Sequence, residues 1–388
     1  MTTTPSEKDL LSTNRRPDVA IFISSMEGGG AERAMRDLAN GFVDLGLRTD
    51  LLLTRAVGPY LDELDTRVRL VDFDTRRPIW AFGRLVRYLN REQPRTMLSA
   101  LDHTNLIAVA AARLARVNVR HVASQRRDPS DKPRIIREPK EVVNHLLLGF
   151  GLRRVDAVTA VSEGVARSVQ RMHSVPRDRI RVIYNGVAIP TTSVANTVPD
   201  PWIERDESPI LLAAGRLAHV KGFDVLLRAF RRVRNDRPAR LIILGDGREE
   251  PHLKRLGERL GLSRDILFPG FVPDPLVWMR YASVFVLSSR SEGLPGVLIQ
   301  AMACGVPVVS TSCPSGPNEI LEDGKWGRLV EVGNAEALAE AIIETLDDPH
   351  PPPVLERARD FDPTTTLMQY VDVLGLGAQG QSSETKFA

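Results

Sequence analysis

Two separate series of short β-branched runs alternating with helical patterns, divided by a stretch that has neither, limit this chain more than any other feature. The first series opens with the apolar segment Val19 to Ser24. Gly28, Gly29 and Gly30 follow it, and then a helical pattern from Ala31 to Leu45. Further strand-like segments lie at Asp50 to Leu53, Val68 to Phe73, Thr96 to Leu101, Val119 to Ser124 and Asp156 to Val161, with helical patterns at Ile79 to Asn90 and Asn105 to Leu114. Pro190 to Pro209 mixes Thr, Ser, Asn, Pro and Asp without periodicity, the composition of a linker. The second series places strands at Ile210 to Ala214, Ala239 to Leu244, Ile266 to Phe268, Val284 to Leu287 and Val306 to Ser310. Its helices fall at Phe223 to Arg234, Glu249 to Leu260, Gly296 to Ala303, Ala335 to Leu346 and Thr364 to Leu374. Strands that alternate with helices predict α/β domains with parallel sheets. A chain of 388 residues is too long for one core, so two such domains are expected.

The expected boundaries are a disordered leader over 1–17, a first Rossmann-like domain over 18–192, a linker over 193–208 and a second Rossmann-like domain over 209–360. A helix over 361–375 is expected to pack back on the first domain, before a disordered tail over 376–388. Aromatic residues make up only 5%, and the apolar residues are mainly Val, Leu, Ile and Ala, which suits strands buried on both faces. A net charge of +3, from 52 basic and 49 acidic residues, argues against a nucleic-acid partner. The two cysteines, Cys304 and Cys313, match no metal or redox spacing and suit a reducing cytoplasm. The polar stretch Met1 to Asp18 has no apolar signal core, and no segment has the length and apolarity of a membrane span.

Open parallel sheets bind ligands beyond the carboxyl ends of their strands, so the polar residues that follow each strand are the candidates. Arg216 and Lys221 follow the strand Ile210 to Ala214; two cations there can hold a diphosphate and stabilise a leaving group, or be solvated surface charges. Gly245-Asp246-Gly247 permits close backbone approach to a ligand, or is a plain turn. The block from Ser291 to Gly305 is the most informative. Pro295 suits the first turn of a helix that ends near Gly305, and the segment Leu294-Pro295-Gly296-Val297, with its free amide groups, forms an anion site. Glu292 stands just before that site, where a carboxylate is costly unless it binds hydroxyls such as those of a sugar; the other reading is an acidic residue favouring the helix dipole. Gln300, about one and a half turns in, can face the same ligand.

In the first series, Gly28, Gly29 and Gly30 lack the spacing of the nicotinamide fingerprint, and serve either a ligand or tight packing. His103 follows the strand Thr96 to Leu101 and is near the cleft, with Asp102 beside it as a candidate helix cap. Arg126 can meet an acceptor phosphate or be solvated. Lys132 to Arg154 mixes basic and apolar residues, as a helix at a membrane surface or one packed on its own domain would. Asp72-Phe73-Asp74 reads as a strand-end turn rather than a metal site, and no metal cluster is expected.

Taken together, these segments resemble the retaining nucleotide-sugar glycosyltransferases of family four, which have the GT-B fold, from the Gly28–Gly30 loop to the last helix. The family's signature is a Glu, seven residues and a second Glu, in a Glu-Gly-x-Pro…Ala-Met-Ala-x-Gly frame. Glu292 and the frame are kept; the second Glu is Gln300. The resemblance implies two Rossmann-like domains facing across a cleft. It assigns Glu292 to the donor sugar, Gln300 to the ribose, Arg216 and Lys221 to the diphosphate, the backbone around Phe271 and Val272 to the base, and the glycine loop to the donor phosphates. It also suggests that His103 contacts the donor sugar. The amide of Gln300 can still accept from a ribose hydroxyl, at a loss of about 1–2 kcal/mol. With Cys313-Pro314-Ser315-Gly316-Pro317 behind it, the Gln frame is similar to a subgroup that uses UDP-linked N-acetylhexosamines or hexoses. The expected activity is retaining, metal-independent transfer from a nucleoside-diphosphate sugar, UDP before GDP. The acceptor is a glycan, a lipid-linked saccharide or a small molecule. No cofactor is needed, and the expected place is the cytoplasm or the inner face of its membrane. The alternatives are a non-catalytic sugar-nucleotide binder, which rests on Gln300, and a nicotinamide-dependent oxidoreductase, for which the fingerprint is missing.

Overall fold

The computed structural model describes residues 16–131, 139–190, 200–204 and 207–377. Most of the expected leader and tail, and much of the expected linker, lie outside them. The first domain runs β1 (Val19–Ile23), α1 (Gly30–Asp44), β2 (Thr49–Leu53), β3 (Arg69–Asp72), α2 (Ala81–Glu92), β4 (Thr96–Ala100), α3 (Asp102–Leu114), β5 (Arg120–Gln125), α4 (Pro139–Leu152), β6 (Ala157–Ala160), α5 (Glu163–His173) and β7 (Ile180–Val182). The second runs β8 (Ile210–Ala214), α6 (Phe223–Asp236), β9 (Arg240–Leu244), α7 (Glu250–Arg259), β10 (Ile266–Gly270), α8 (Leu276–Met279), β11 (Val284–Leu287), α9 (Gly296–Ala303), β12 (Val308–Thr311), α10 (Pro317–Ile320), β13 (Arg328–Val330), α11 (Ala335–Asp347) and α12 (Val354–Ala358). A last helix, α13 (Pro363–Val373), follows.

Each domain is one parallel sheet with helices on both faces. The orders are β3-β2-β1-β4-β5-β6-β7 and β10-β9-β8-β11-β12-β13. Every residue of β1 is buried because both faces are covered: Val19, Ile21 and Ile23 pack with Phe42 and Tyr370, while Ala20 and Phe22 pack with Leu85 and Leu89. In both sheets the order reverses beside the first strand, between β1 and β4 and between β8 and β11. A crevice opens at such a point, because the flanking crossovers leave toward opposite faces. One apolar cluster runs from Leu148, Val158 and Val165 of the first domain to Phe285, Leu298 and Met302 of the second, so the floor between the domains is packed.

α13 starts on Asp362, which accepts from the Thr365 N–H at 2.7 Å, and buries Tyr370, Val371 and Leu374 in the core of the first domain. Two edge strands, β7 and β13, have no counterpart in the sequence reading. Each has three residues and one paired neighbour, too few to display a period. α9 begins at Gly296 as expected, with Pro295 at its N-cap rather than within its first turn, and Asp102, expected as a cap, lies inside α3 behind the N-cap Leu101. In both places the geometry of the loop leaving the preceding strand, not the capping preference of a side chain, decides where the helix begins.

Candidate active site

In the second domain, the site forms where β8 and β11 lie side by side. The chain leaving β8 carries Arg216, exposed, and a single helical turn from His219 to Lys221. The chain leaving β11 carries Ser288 to Glu292. Lys221 Nζ donates to Glu292 Oε1 at 2.6 Å, and Ser289 Oγ donates to the same oxygen at 2.6 Å. The two charged side chains are only 21% and 10% exposed, so solvent screens the pair weakly. Arg290 fixes the turn: its N–H donates to Val220 O at 2.7 Å, its guanidinium donates to His219 O at 2.7 Å, and it is paired with Asp224 at 2.8 Å. Burial pushes the Asp224 carboxyl up, but the Arg290 guanidinium outweighs it and holds it below its usual value. The role of Arg290 was not read from sequence, because its partner lies 66 residues away. Gly245 packs on the Arg216 loop: Gly215 N–H donates to Leu244 O at 2.9 Å and Leu217 N–H to Asp246 O at 2.6 Å, and a Cβ on Gly245 would collide with Gly215 O. Its place is accounted for by bracing that loop.

α9 points its first turn at the cleft. Pro295 has no N–H to offer and Leu298 N–H is taken by Pro295 O at 3.0 Å, which leaves the amides of Gly296 and Val297 without intrahelical partners. Leu294 is a core side chain. A Cβ on Gly296 would meet nothing within 4 Å. Gln300 is 5% exposed, and its side-chain amide meets the Arg33 guanidinium of the first domain; because a guanidinium can only donate, the amide is assigned with its oxygen toward Arg33, accepting from Nη1 at 2.6 Å and Nη2 at 3.2 Å.

The first domain supplies the opposite wall. Gly28 has φ +99°, and a Cβ there would stand 3.1 Å from the Phe271 ring, so the glycine loop touches the segment that leaves β10. Gly29 is covered by the folded-back Glu32 carboxylate, while Gly30 faces open space. Val272, beside Phe271, is half-buried on the inter-domain cluster. His103 is the second residue of α3 and lies behind Leu101, whose φ of 80° is a strained value for a branched side chain. The atoms packed around the ring pull its pKa below the ordinary histidine value against the opposing Asp102, although much of the residue's surface is open. Arg126 is not solvated: its guanidinium donates to Asn185 Oδ1 at 2.6 Å and reaches the Tyr370 hydroxyl at 3.5 Å, ties within the first domain and to α13. Next to it Gln125 is 1% exposed, and among the described residues neither of its amide atoms has a hydrogen-bond partner.

Contacts across the cleft that sequence reasoning missed set the two walls together. Ser315 Oγ donates to Asp128 Oδ2 at 2.5 Å. Burial raises the pKa of Asp128, but hydrogen bonds from Ser130, Ser315 and Ser168 hold it below the usual range. The Glu319 carboxylate accepts from the Glu163 and Gly164 amides, each at 2.7 Å, so a residue of one domain caps a helix of the other. Elsewhere, Asp72 accepts from the Asp74 N–H at 2.7 Å as a simple turn. Cys313 is buried, and burial raises the thiol of half-buried Cys304 to about 11. Of the basic segment, 132–138 lie outside the described residues. The α4 part exposes Leu146, Leu147 and Phe150, with Arg154 stacked 3.3 Å from the Phe150 ring centre. Among the described residues no helix is long and apolar enough to cross a membrane.

Two Rossmann-like domains whose reversal points face each other across a cleft define the GT-B class of transferases. Residues 28–189 match the family described as Glycosyltransferase Family 4, and residues 208–348 that described as Glycosyl transferases group 1. The chain belongs to the family-four glycosyltransferases, which sets aside the oxidoreductase alternative. It is 27% identical to the N-acetylgalactosamine-N,N'-diacetylbacillosaminyl-diphospho-undecaprenol 4-alpha-N-acetylgalactosaminyltransferase of Campylobacter jejuni, over 85% of this chain and 90% of that one. It is 32% identical to the lipopolysaccharide core biosynthesis glycosyltransferase LpsE of Rhizobium meliloti, over 50% of this chain and 55% of that protein, about half its length. The solved structure of Anabaena HepE in complex with UDP and glucose superposes with a TM-score of 0.76 at 21% identity, covering 93% of this chain and 100% of that one.

Proposed function

We propose that the chain is a retaining, metal-independent glycosyltransferase that moves a hexose or N-acetylhexosamine from a nucleoside-diphosphate sugar, UDP foremost, to a hydroxyl of a glycan, a lipid-linked saccharide or a small molecule. The observation that carries this is the Lys221–Glu292 pair at the second reversal point, beside the open start of α9 and opposite the glycine loop. The helix-start amides with Arg216 and Lys221 take the diphosphate, and their charge grows more favourable as the glycosidic bond breaks and negative charge collects on the leaving oxygen. Glu292 holds the sugar's hydroxyls through Oε2, with Oε1 committed to Lys221 and Ser289. The acceptor hydroxyl attacks on the face the diphosphate leaves, and the departing phosphate oxygen takes its proton, so no separate general base is required. His103 lies at the neighbouring strand end for the donor sugar. Arg126 positions the Gln125–Asp128 loop, so a direct part in acceptor binding requires it to leave Asn185.

The Anabaena complex with UDP and glucose supports the uridine donor. The names of the Campylobacter and Rhizobium relatives support a lipid-linked or glycan acceptor. With such an acceptor the exposed Leu146, Leu147 and Phe150, beside Arg153 and Arg154, suit contact with the inner face of the cytoplasmic membrane. The decisive assay incubates the full chain with UDP-, GDP- and ADP-sugars, with and without chelator. The expected result is release of nucleoside diphosphate from a UDP-sugar, unchanged by chelator, with the anomeric configuration kept in the product. No release from any of these donors would sink the reading, and release abolished by chelator would sink its metal-independence.

Gly30 and Gly296 give a ligand-specific check. An added Cβ at either touches no protein atom within 4 Å, so Ala should leave the thermal midpoint within a few degrees. If a diphosphate approaches these backbones, Gly30→Ala and Gly296→Ala should each weaken nucleoside-diphosphate binding about tenfold or more, as calorimetry would read.

A further inference from the structure

We propose that Arg33 is a third cation for the donor diphosphate, supplied from the first domain, and that Gln300 is an amide because it must hold that guanidinium without cancelling its charge. This rests on the donor reading above and deepens it. Three other cations of the two facing walls are spent on carboxylates. Lys221 is paired with Glu292 at 2.6 Å, Arg290 with Asp224 at 2.8 Å, and Arg36 with Asp37 and Glu63. Among the described residues, Arg33 has no ion-pair partner; its side-chain hydrogen bonds go to the Gln300 oxygen, and its charge also acts on the neighbouring Tyr60 hydroxyl. Glu32, its neighbour in the chain, turns back over Gly29.

Gln300 lies four residues beyond Gly296, which places it about 6 Å along α9 from the open amides. A guanidinium bonded to it is therefore within reach of a phosphate seated on that helix start. Arginine has five N–H donors in a planar fork, and two of them face Gln300, so the rest stay available for phosphate oxygens. A carboxylate at a position only 5% exposed would hold Arg33 as firmly but would neutralise it, leaving Arg216 as the one uncancelled cation of the set. An amide fixes the geometry and keeps the charge.

The test is calorimetric binding of UDP, GDP and ADP, each beside its free nucleoside, to the full-length wild type, Gln300→Glu and Arg33→Gln. Gln300→Glu is expected to weaken the diphosphate at least tenfold and the nucleoside less than twofold. Arg33 is half-exposed, so Arg33→Gln should fold and should show the same split, with a shallower salt dependence. A ribose-binding role for residue 300 predicts the opposite, a Gln300→Glu variant that binds diphosphate and nucleoside alike more tightly. That result, or diphosphate binding within twofold of wild type in both variants, would overturn this proposal and leave the donor reading standing. A wild type that binds none of the three diphosphates would overturn both.

Discussion

Replacing Glu292 by Gln is expected to lower turnover by about 10²–10³-fold while nucleoside-diphosphate binding holds or tightens. The substitution keeps shape and removes charge. Lys221 and Ser289 both donate to Oε1 at 2.6 Å, and among the described residues none donates to Oε2, which is the arrangement of a carboxylate anchored on one side and available on the other. An amide in its place receives sugar hydroxyls less strongly and cannot balance positive charge as the glycosidic bond breaks. It also frees the Lys221 ammonium for the diphosphate, so turnover and nucleotide affinity should move in opposite directions. Single-turnover kinetics with calorimetry separate the two quantities. Turnover within tenfold of wild type would remove Glu292 from the chemistry. Nucleotide binding with no turnover in either form would instead favour the non-catalytic binder that Gln300 raises.

Gly293→Ala should be the most damaging of the small substitutions. A Cβ there would collide with the Arg126 carbonyl oxygen and stand 3.0 Å from its carbon and 3.1 Å from Val161 Cγ2. Backbone of one domain meets backbone of the other at this point, so no side-chain rotation relieves the overlap. Overpacking of this kind costs about 1–3 kcal/mol, or the domains part to avoid it. The adjoining Glu292 would move with the loop. The expected outcome is turnover lowered at least a hundredfold, together with a lower thermal midpoint or a larger radius of gyration in X-ray scattering. Gly296→Ala, three residues on and free of protein contact, is the steric control for the midpoint and the dimensions, but not for turnover, since it stands at the donor site. A Gly293→Ala variant with wild-type midpoint, dimensions and turnover would show that the walls need not meet so closely.

Strand periods, glycine turns and the start of α9 are local properties, set by side-chain alternation and backbone limits within a few residues, and they were legible. So was the choice of Glu292, Lys221 and Arg216 as residues that follow strands. The ion pair between Lys221 and Glu292 was not legible, because it depends on β8 and β11 being neighbours, a matter of strand order. Nor was the burial of Arg126, which the sequence leaves open between a surface charge and a ligand and which α13 settles by bringing Tyr370 onto it.

The chain's sequence by itself determined two α/β domains, a cleft between them and the chemical types of residue at the strand ends, because those follow from periodicity and from where loops must fall. Only the tertiary structure decided which groups share a partner. Arg33 meets Gln300, Asp128 meets Ser315 and Glu319 caps α5 because the packed floor between the sheets sets their separation, and no local pattern encodes a distance between side chains on different domains.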